Sequence, residues 1–527
     1  MIRTAPGTPK WGHLVWIVPT SLLSGLGLAW IQPGLWIVGW MAFSTLFLLA
    51  FALLATLYCW AGGGRPLAWI IALALALRLA LGVGTYLALP VDGYDEPDDN
   101  AGFVFTDAHN RDDQAWELAV SDTPILSAFN RKFHSDQYGG LLAFISLAYR
   151  FLSPDAHRPL LPVALSAIVG AIGLPFFWKA SHKLFESKIA LFSSWILALY
   201  PESLLLGSAA MREPYLITFS AIALWGFASW QKNHDQHAWI WLGLSLTGML
   251  LVSPIAALMT LFILAGWLWF AGERGKFPWW VAVVIVVTFV LGLFLLSSSL
   301  NRQGQFDTTS PIGVIAGFMR EVVKFDVYQL ERGSGWVQKL FDEMPAWMRL
   351  PFVVIYGVLQ PVLPAVFIEP TTLTWRFIGI GRALGWYSML PLLAYAFMAA
   401  WKNDNPRERL FWIWITFISW FWIFMAALRG GGDQWDNPRY RVILLMWQAM
   451  ASGYALTHFL LTFDTWFKRI LLVELIFLGF FTQWYFSRYF HIGGQLPFGV
   501  MVVLIMGSSF LILAGGAWWD HNRKGRA

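Results

Sequence analysis

Leu141-Leu-Ala-Phe-Ile-Ser-Leu-Ala-Tyr-Arg-Phe-Leu152 decides the topology. Twelve residues of helix rise about 18 Å, well short of the roughly 30 Å hydrocarbon core, so the run is read as an interfacial piece and not a crossing. Longer apolar runs flank it. Working outward, runs long enough to span lie at 12–30, 36–59, 66–90, 159–178, 188–206, 214–231, 237–252, 254–271, 277–299, 377–400, 410–428, 442–462, 470–486 and 498–519. The run at 351–368 is interrupted by Pro361 and Pro364 and reads as re-entrant. The fold class expected is an all-α polytopic membrane protein of about fourteen transmembrane helices, twelve to fourteen being the range, with interfacial helices in its outer loops.

Charge fixes the orientation. With the first segment inside, the inner turns carry Arg3, Lys10, Arg65, Lys179, Lys183, Lys188, Lys232, Arg274, Lys276, Lys402, Arg407, Arg409, Lys468, Arg469, Arg523, Lys524 and Arg526, which far outnumber their acidic residues. Counting 141–152 as a span would turn Lys179, Lys183 and Lys188 outward. Both termini are therefore expected on the cytoplasmic side. The first span lacks a small-x-small cleavage site, and another span follows directly, which argues against a signal peptide.

Composition narrows the class further. Of 527 residues, 57% are hydrophobic and only 13% charged, with 33 Trp suited to interfacial belts. One cysteine, Cys59, excludes a disulfide framework, a cysteine zinc site and an iron–sulfur centre. A net charge of +5 is small for this length and suggests no nucleic-acid partner.

Two outer segments exceed simple turns. The loop at 91–137 holds eleven acidic residues, including Asp107, Asp112, Asp113 and Glu117, against three basic ones. The segment at 300–350 has helical apolar spacing at Val314, Phe318, Val322 and Phe325 and reads as an amphipathic lid. Four parts follow: two additional helices at 1–65, a membrane core at 66–299 with the acidic loop, the lid and re-entrant region at 300–376, and C-terminal helices at 377–527.

Chemistry concentrates on the outer face. In Asp107-Ala-His-Asn-Arg-Asp-Asp-Gln-Ala-Trp-Glu117, a carboxylate pair in a poorly solvated cleft can serve as a general base or hold a hard cation such as Mg, Ca or Mn. The alternative is a solvated acidic loop. His109 and His134 are either ligands or solvated side chains. Arg212-Glu213-Pro214 places a guanidinium and a carboxylate at a helix start, a phosphate site or a capped rim pair. Arg439-Tyr440-Arg441 sets two guanidiniums at the outer interface, where the topology rule disfavours them, so they are either anchors or the seat of a lipid phosphate. Arg78 and Glu202 lie within spans and need a partner or a polar cavity. A buried pair fixing helix packing is the simpler role for both.

These features together resemble the membrane glycosyltransferases of the GT-C superfamily, in the bacterial branch akin to protein O-mannosyltransferases and lipid A aminoarabinose transferases. Asp112-Asp113-Gln114-Ala115-Trp116 is similar to the family's Asp-Glu-x-x-Tyr motif of the first outer loop, with Trp116 where Tyr is usual. Gly139-Gly140 and the short helix after it look like the juxtamembrane piece, and 177–200 is similar to the next hairpin. Arg212-Glu213-Pro214 stands where the family places a second outer acidic residue. Arg439-Tyr440-Arg441 resembles the late Arg-Tyr-x-x-Pro helix, without its prolines. The resemblance covers roughly 66–460.

It implies a sugar moved, with inversion, from a polyprenyl phosphate to a glycan, lipid or protein acceptor at the outer face of a bacterial inner membrane. Asp112, Asp113 and Glu213 would act on the acceptor, and Arg212, Arg439, Tyr440 and Arg441 would hold the phosphate. Asp107, His109, Trp116 and Glu202 would support them. A divalent cation, Mg or Mn, would sit on Asp107, Asp112 and Asp113 if one is used. Competing classes are an O-antigen ligase or polymerase, a multi-span transporter and a non-catalytic subunit of the same fold.

Overall fold

In the computed structural model, the described residues are 15–524 except 131, 134, 272–282, 285, 293, 295–312 and 314–343. The proposed lid at Val314, Phe318, Val322 and Phe325, and His134, lie outside them, as does most of the run at 277–299. The described residues are nearly all helical, without a strand. Two compact units divide the chain: residues 1–328 with 442–446, and 329–441 with 447–527.

The first unit opens with α1 (Ile17–Trp30), α2 (Trp36–Ala61) and α3 (Gly64–Asp92). After α3 come the single-turn α4 (Pro97–Asn100), the acidic helix α5 (Thr106–Val120) and α6 (Gly140–Leu152). There follow α7 (Leu160–Leu184), α8 (Ser187–Leu199), α9 (Pro201–Gly207), α10 (Glu213–Asn233), α11 (Ala238–Val252) and α12 (Pro254–Ala271). In the second unit lie α13 (Ala346–Leu359), α14 (Leu363–Ile368), α15 (Leu373–Trp401), α16 (Pro406–Gly430), α17 (Asp436–Val442) and α18 (Leu445–Thr462) apart from their residues within 442–446, α19 (Thr465–Tyr489) and α20 (Phe498–Lys524).

Every expected apolar run carries helix among its described residues, 277–299 included at 286–292. Seven of them among the described residues (α2, α3, α7, α15, α16, α19 and α20) are long and apolar enough to cross a bilayer. An eighth crossing forms if α8 and α9 count as one span bent by 51°. The bend falls at Tyr200, which the following Pro201 holds out of helical geometry. The run at 351–368 is likewise broken into α13 and α14, at the prolines read from the sequence.

The core of the first unit is α7, buried along almost its whole length and packed against α2, α3, α8 and α10. Small residues permit that closeness. A Cβ on Gly173 would press on Thr218 of α10, whose hydroxyl donates to the Val169 carbonyl at 2.7 Å. Arg78 of α3 is buried against Gly170 and Gly207, and donates to Ala74 O (2.9 Å) and Ser203 Oγ (3.1 Å). Its polar partners are thus a carbonyl and a hydroxyl, in keeping with a packing role.

Helix α6 stays short, with 13 residues. Its buried residues Leu141, Leu142, Ile145, Ser146 and Tyr149 follow helical spacing, while Phe144, Leu147 and Phe151 are exposed on the other side. Asp136 Oδ2 accepts from the Leu141 and Leu142 amides at 3.0 and 3.1 Å, capping the start of α6. At the other end Arg150 donates to the carbonyls of Leu118, Ala119, Ser121 and Thr123, tying α6 to the C-terminus of α5.

Candidate active site

The site is built from α5 outward. Asp112 has no exposed surface, and both its oxygens are taken. The Tyr149 hydroxyl donates to Oδ1 at 2.6 Å, and His157 Nε2 lies 2.8 Å from Oδ2. Trp116, one turn along α5, stacks on the His157 ring with a 5.5 Å centroid separation and meets Tyr149 edge-on. Trp116 therefore forms a shelf for His157.

This enclosure alters proton affinities. Burial pushes the Asp112 carboxyl above its ordinary value; the His157 and Tyr149 hydrogen bonds offset only part of that, and Asp113 adds to it. Burial drives the Tyr149 hydroxyl well above its usual range, and the charge of Asp112 pushes the same way. Burial alone would lower His157, but its hydrogen bond and charge contact with Asp112 outweigh it, so the imidazole binds its proton more tightly than usual. The pair Asp112–His157 holds a proton firmly.

Asp113 differs sharply from its neighbour. Its side chain is 57% exposed, and among the described residues its close ionic partner is His109 Nε2 at 3.5 Å. His109 bridges onward through Nδ1 to Asp98 Oδ1 at 2.7 Å and stacks on Phe103. Thr106 donates to the other oxygen of Asp98. Of the two adjacent carboxylates, one is a buried anchor and the other an accessible group. Asp107 is exposed at the start of α5. Among the described residues no three His, Cys, Asp or Glu side chains are placed to hold a metal ion.

The turn at 208–213 joins this helix. Arg111, one residue before Asp112, donates to Ala210 O at 2.6 Å and lies 3.8 Å from the buried Asp136. Arg212 faces Gln137 Oε1 at 3.4 Å and Glu213 at 4.0 Å. Glu213 is buried in the first turn of α10, and Glu202 is buried in the first turn of α9. Asp112, Asp113, His109 and Trp116 thus lie in one unit with Arg212 and Glu213, and Arg111 joins their helix to the turn at 208–213.

The remaining expected residues are in the second unit. Arg441 is buried, donates to Val358 O (3.1 Å) and Gln360 O (2.7 Å), and lies 3.7 Å from the Trp386 ring centre. Its guanidinium holds the C-terminal end of α13. Arg439 faces Asp436 at 3.5 Å, and the Tyr440 hydroxyl donates to the same carboxylate at 3.4 Å.

Sequence reasoning missed His157, Tyr149, Arg111, Asp98 and Asp136. His157 is 45 residues from its partner. The signal that could have found it is Ser153-Pro-Asp-Ala-His-Arg-Pro159, a polar, proline-bracketed turn between two apolar runs on the outer side.

The model of the dolichyl-phosphate-mannose-protein mannosyltransferase family matches residues 157–300, about a quarter of the chain. That match supports the GT-C resemblance and, with it, a membrane glycosyltransferase. No curated protein matches. Solved structures that resemble the chain include the Archaeoglobus fulgidus oligosaccharyltransferase AglB with an inhibitory peptide and a dolichol-phosphate, at 15% identity and a TM-score of 0.37. It covers 85% of this chain and 54% of its own. An Archaeoglobus fulgidus oligosaccharyltransferase in complex with Zn and sulfate matches at 16% identity and a TM-score of 0.40, over 76% of this chain and 51% of its own. The chain spans about half the length of these archaeal proteins, and the likeness is loose.

Proposed function

We propose that the chain transfers a sugar from a polyprenyl-phosphate donor to an acceptor on the outer face of a bacterial inner membrane, with inversion at the anomeric carbon. The observation that carries this reading is the joint between His157, where the matched family stretch begins, and Asp112 of the acidic helix. Through it the part of the chain that resembles a known transferase core is fixed to an outer-face carboxylate pair.

In this reading an acceptor hydroxyl attacks the anomeric carbon as the bond to the phosphate oxygen breaks. The phosphate leaves with the bonding electrons, and the hydroxyl proton passes to Asp113, the exposed member of the pair. Arg212, beside Glu213 at the start of α10, neutralises charge developing on the phosphate. Asp112 stays within its hydrogen bonds and keeps α5 and His157 in register. A hard divalent cation, Mg or Mn, is the one cofactor the acidic face suits, and activity that survives EDTA would remove it from the scheme.

Native mass spectrometry of the gently purified protein tests the donor class, with wild type compared to Asp112→Asn/Asp113→Asn. A polyprenyl phosphate carrying one sugar, enriched in the variant, is the expected result. Bulk phospholipid alone in both, under conditions that retain lipids in an established enzyme of this superfamily, would overturn the reading in favour of a transporter or a non-catalytic subunit.

A further inference from the structure

The two N-terminal helices pack against each other, and α2 also packs on α7. The turn between α1 and α2, residues 31–35, meets the turn that carries His157. The Leu35 amide donates to Asp155 Oδ2 at 3.1 Å, and Arg158 Nη2 donates to the Leu35 carbonyl at 3.0 Å. The Leu160 amide donates to Gln32 Oε1 at 3.1 Å. Arg158, itself buried, closes the far side of the same turn with Asp155 (2.6 and 2.8 Å) and Ser153 Oγ (2.6 Å). Its carbonyl accepts from Tyr149, the residue that also binds Asp112. Gly34 sits at φ +88°, and a Cβ there would collide with the Ala156 methyl and the Arg158 guanidinium.

We infer that the N-terminal hairpin is a latch that positions His157 on Asp112, with Asp155 and Arg158 as its positioning residues. This rests on the proposed reading of the Asp112 cluster as part of the transfer site. His157 lies between two residues, Asp155 and Arg158, whose charged side chains bind the hairpin backbone at Leu35 and each other. A one-residue displacement of the turn would therefore carry the imidazole off the carboxylate. The groups that face His157 are Asp112 and Asp113 from α5, Tyr149 from α6 and the Trp116 ring. The hairpin brings no charged group to it, so a change confined to the hairpin can act on His157 only through position.

The test follows the imidazole directly, by ¹⁵N-histidine NMR of the full chain in nanodiscs, with His157→Gln assigning the resonance. Gly34→Ala forces the two turns apart, and Arg158→Lys keeps the charge while losing the guanidinium fork that holds Asp155 and the Leu35 carbonyl together. Both are expected to lower the His157 titration midpoint by about one pH unit as the Asp112 contact loosens. Loss of a positive charge would push the other way. Gly27→Ala, in α1 with open space around it, is expected to leave the midpoint unchanged.

Turnover is read in parallel with undecaprenyl-phosphate-mannose as the donor probe. A fall in kcat of about tenfold or more at unchanged donor KM is expected in both latch variants. A lowered midpoint with unchanged turnover of that donor, by a wild type that uses it, would leave the latch standing and remove the Asp112 cluster from the reaction. An unmoved midpoint in both variants, each folded by helicity and monodispersity, would overturn the latch. Should Gly34→Ala fail to fold, Arg158→Lys decides.

Discussion

Asp112 and Asp113 are adjacent in sequence and opposite in circumstance, because consecutive helical positions point about 100° apart. Asp113→Asn removes the exposed carboxylate with little effect on packing, and is expected to lower kcat by at least about 100-fold while leaving the protein folded. A radiolabelled transfer assay beside a thermal melt checks it; near wild-type turnover would rule out the assignment. A pH dependence follows from the buried partner. Asp112 and His157 both have raised proton affinity in the fold, so the native state holds more protons than the unfolded chain above the ordinary histidine value of 6.5. The His157 contribution to stability is full below 6.5 and is lost as pH rises through its raised value, while that of Asp112 is full only below the ordinary carboxyl value of 3.8 and is lost through its own raised value. Hydrogen exchange in the 153–159 turn should therefore speed up, relative to the intrinsic rate, as pH climbs from 6.5, and His157→Gln should flatten the trend. The acidic run was legible because composition marks it. That one of its carboxylates is walled in by His157 and Tyr149 was not, since no local pattern links residues separated by 45 and 37 positions.

Element boundaries followed from length and breakers. The twelve-residue run was too short to cross, and α6 is a half-buried helix tied to α5. Pro361 separates α13 from α14, Pro364 stands in the first turn of α14, and Pro201 bends α8 against α9. What the elements do with their ends could not be read, because caps here come from distant side chains: Asp136 caps α6, and Arg150 of α6 closes α5. Arg150→Ala leaves a set of α5 C-terminal carbonyls without their charged donor. It is expected to lower the free energy of local opening there by about 2 kcal/mol. Faster amide exchange at 118–123, with no change in α15 to α20, is the measurement. Arg441 shows the opposite case. Its position beside Tyr440 suggested a phosphate ligand, but its guanidinium holds carbonyls at the end of α13 and rests on Trp386.

At the scale of the molecule, the positive-inside pattern and the acidic loop at 91–137 predict one orientation for the chain. With Cys59→Ser as background, a cysteine at Asp122→Cys is expected to react with a membrane-impermeant maleimide on intact spheroplasts, and one at Asp404→Cys only after permeabilisation. Reversed labelling would overturn the topology and the outer-face chemistry together. The same scale exposes a constraint on α2. Just before its N-terminal end, Leu35 is joined to Arg158, ahead of α7; at its C-terminal end the Trp60 carbonyl accepts from Lys179 of α7 at 2.5 Å. A rod fastened at both ends to a parallel neighbour has a fixed length and a fixed phase. One inserted residue would add 1.5 Å and turn the far half by 100°, so that one fastening or the other must open. Four inserted residues would nearly restore the phase yet overshoot by about 6 Å. Although α2 lies in the part of the chain outside the GT-C resemblance, its residue count between Leu35 and Trp60 should tolerate neither insertion nor deletion.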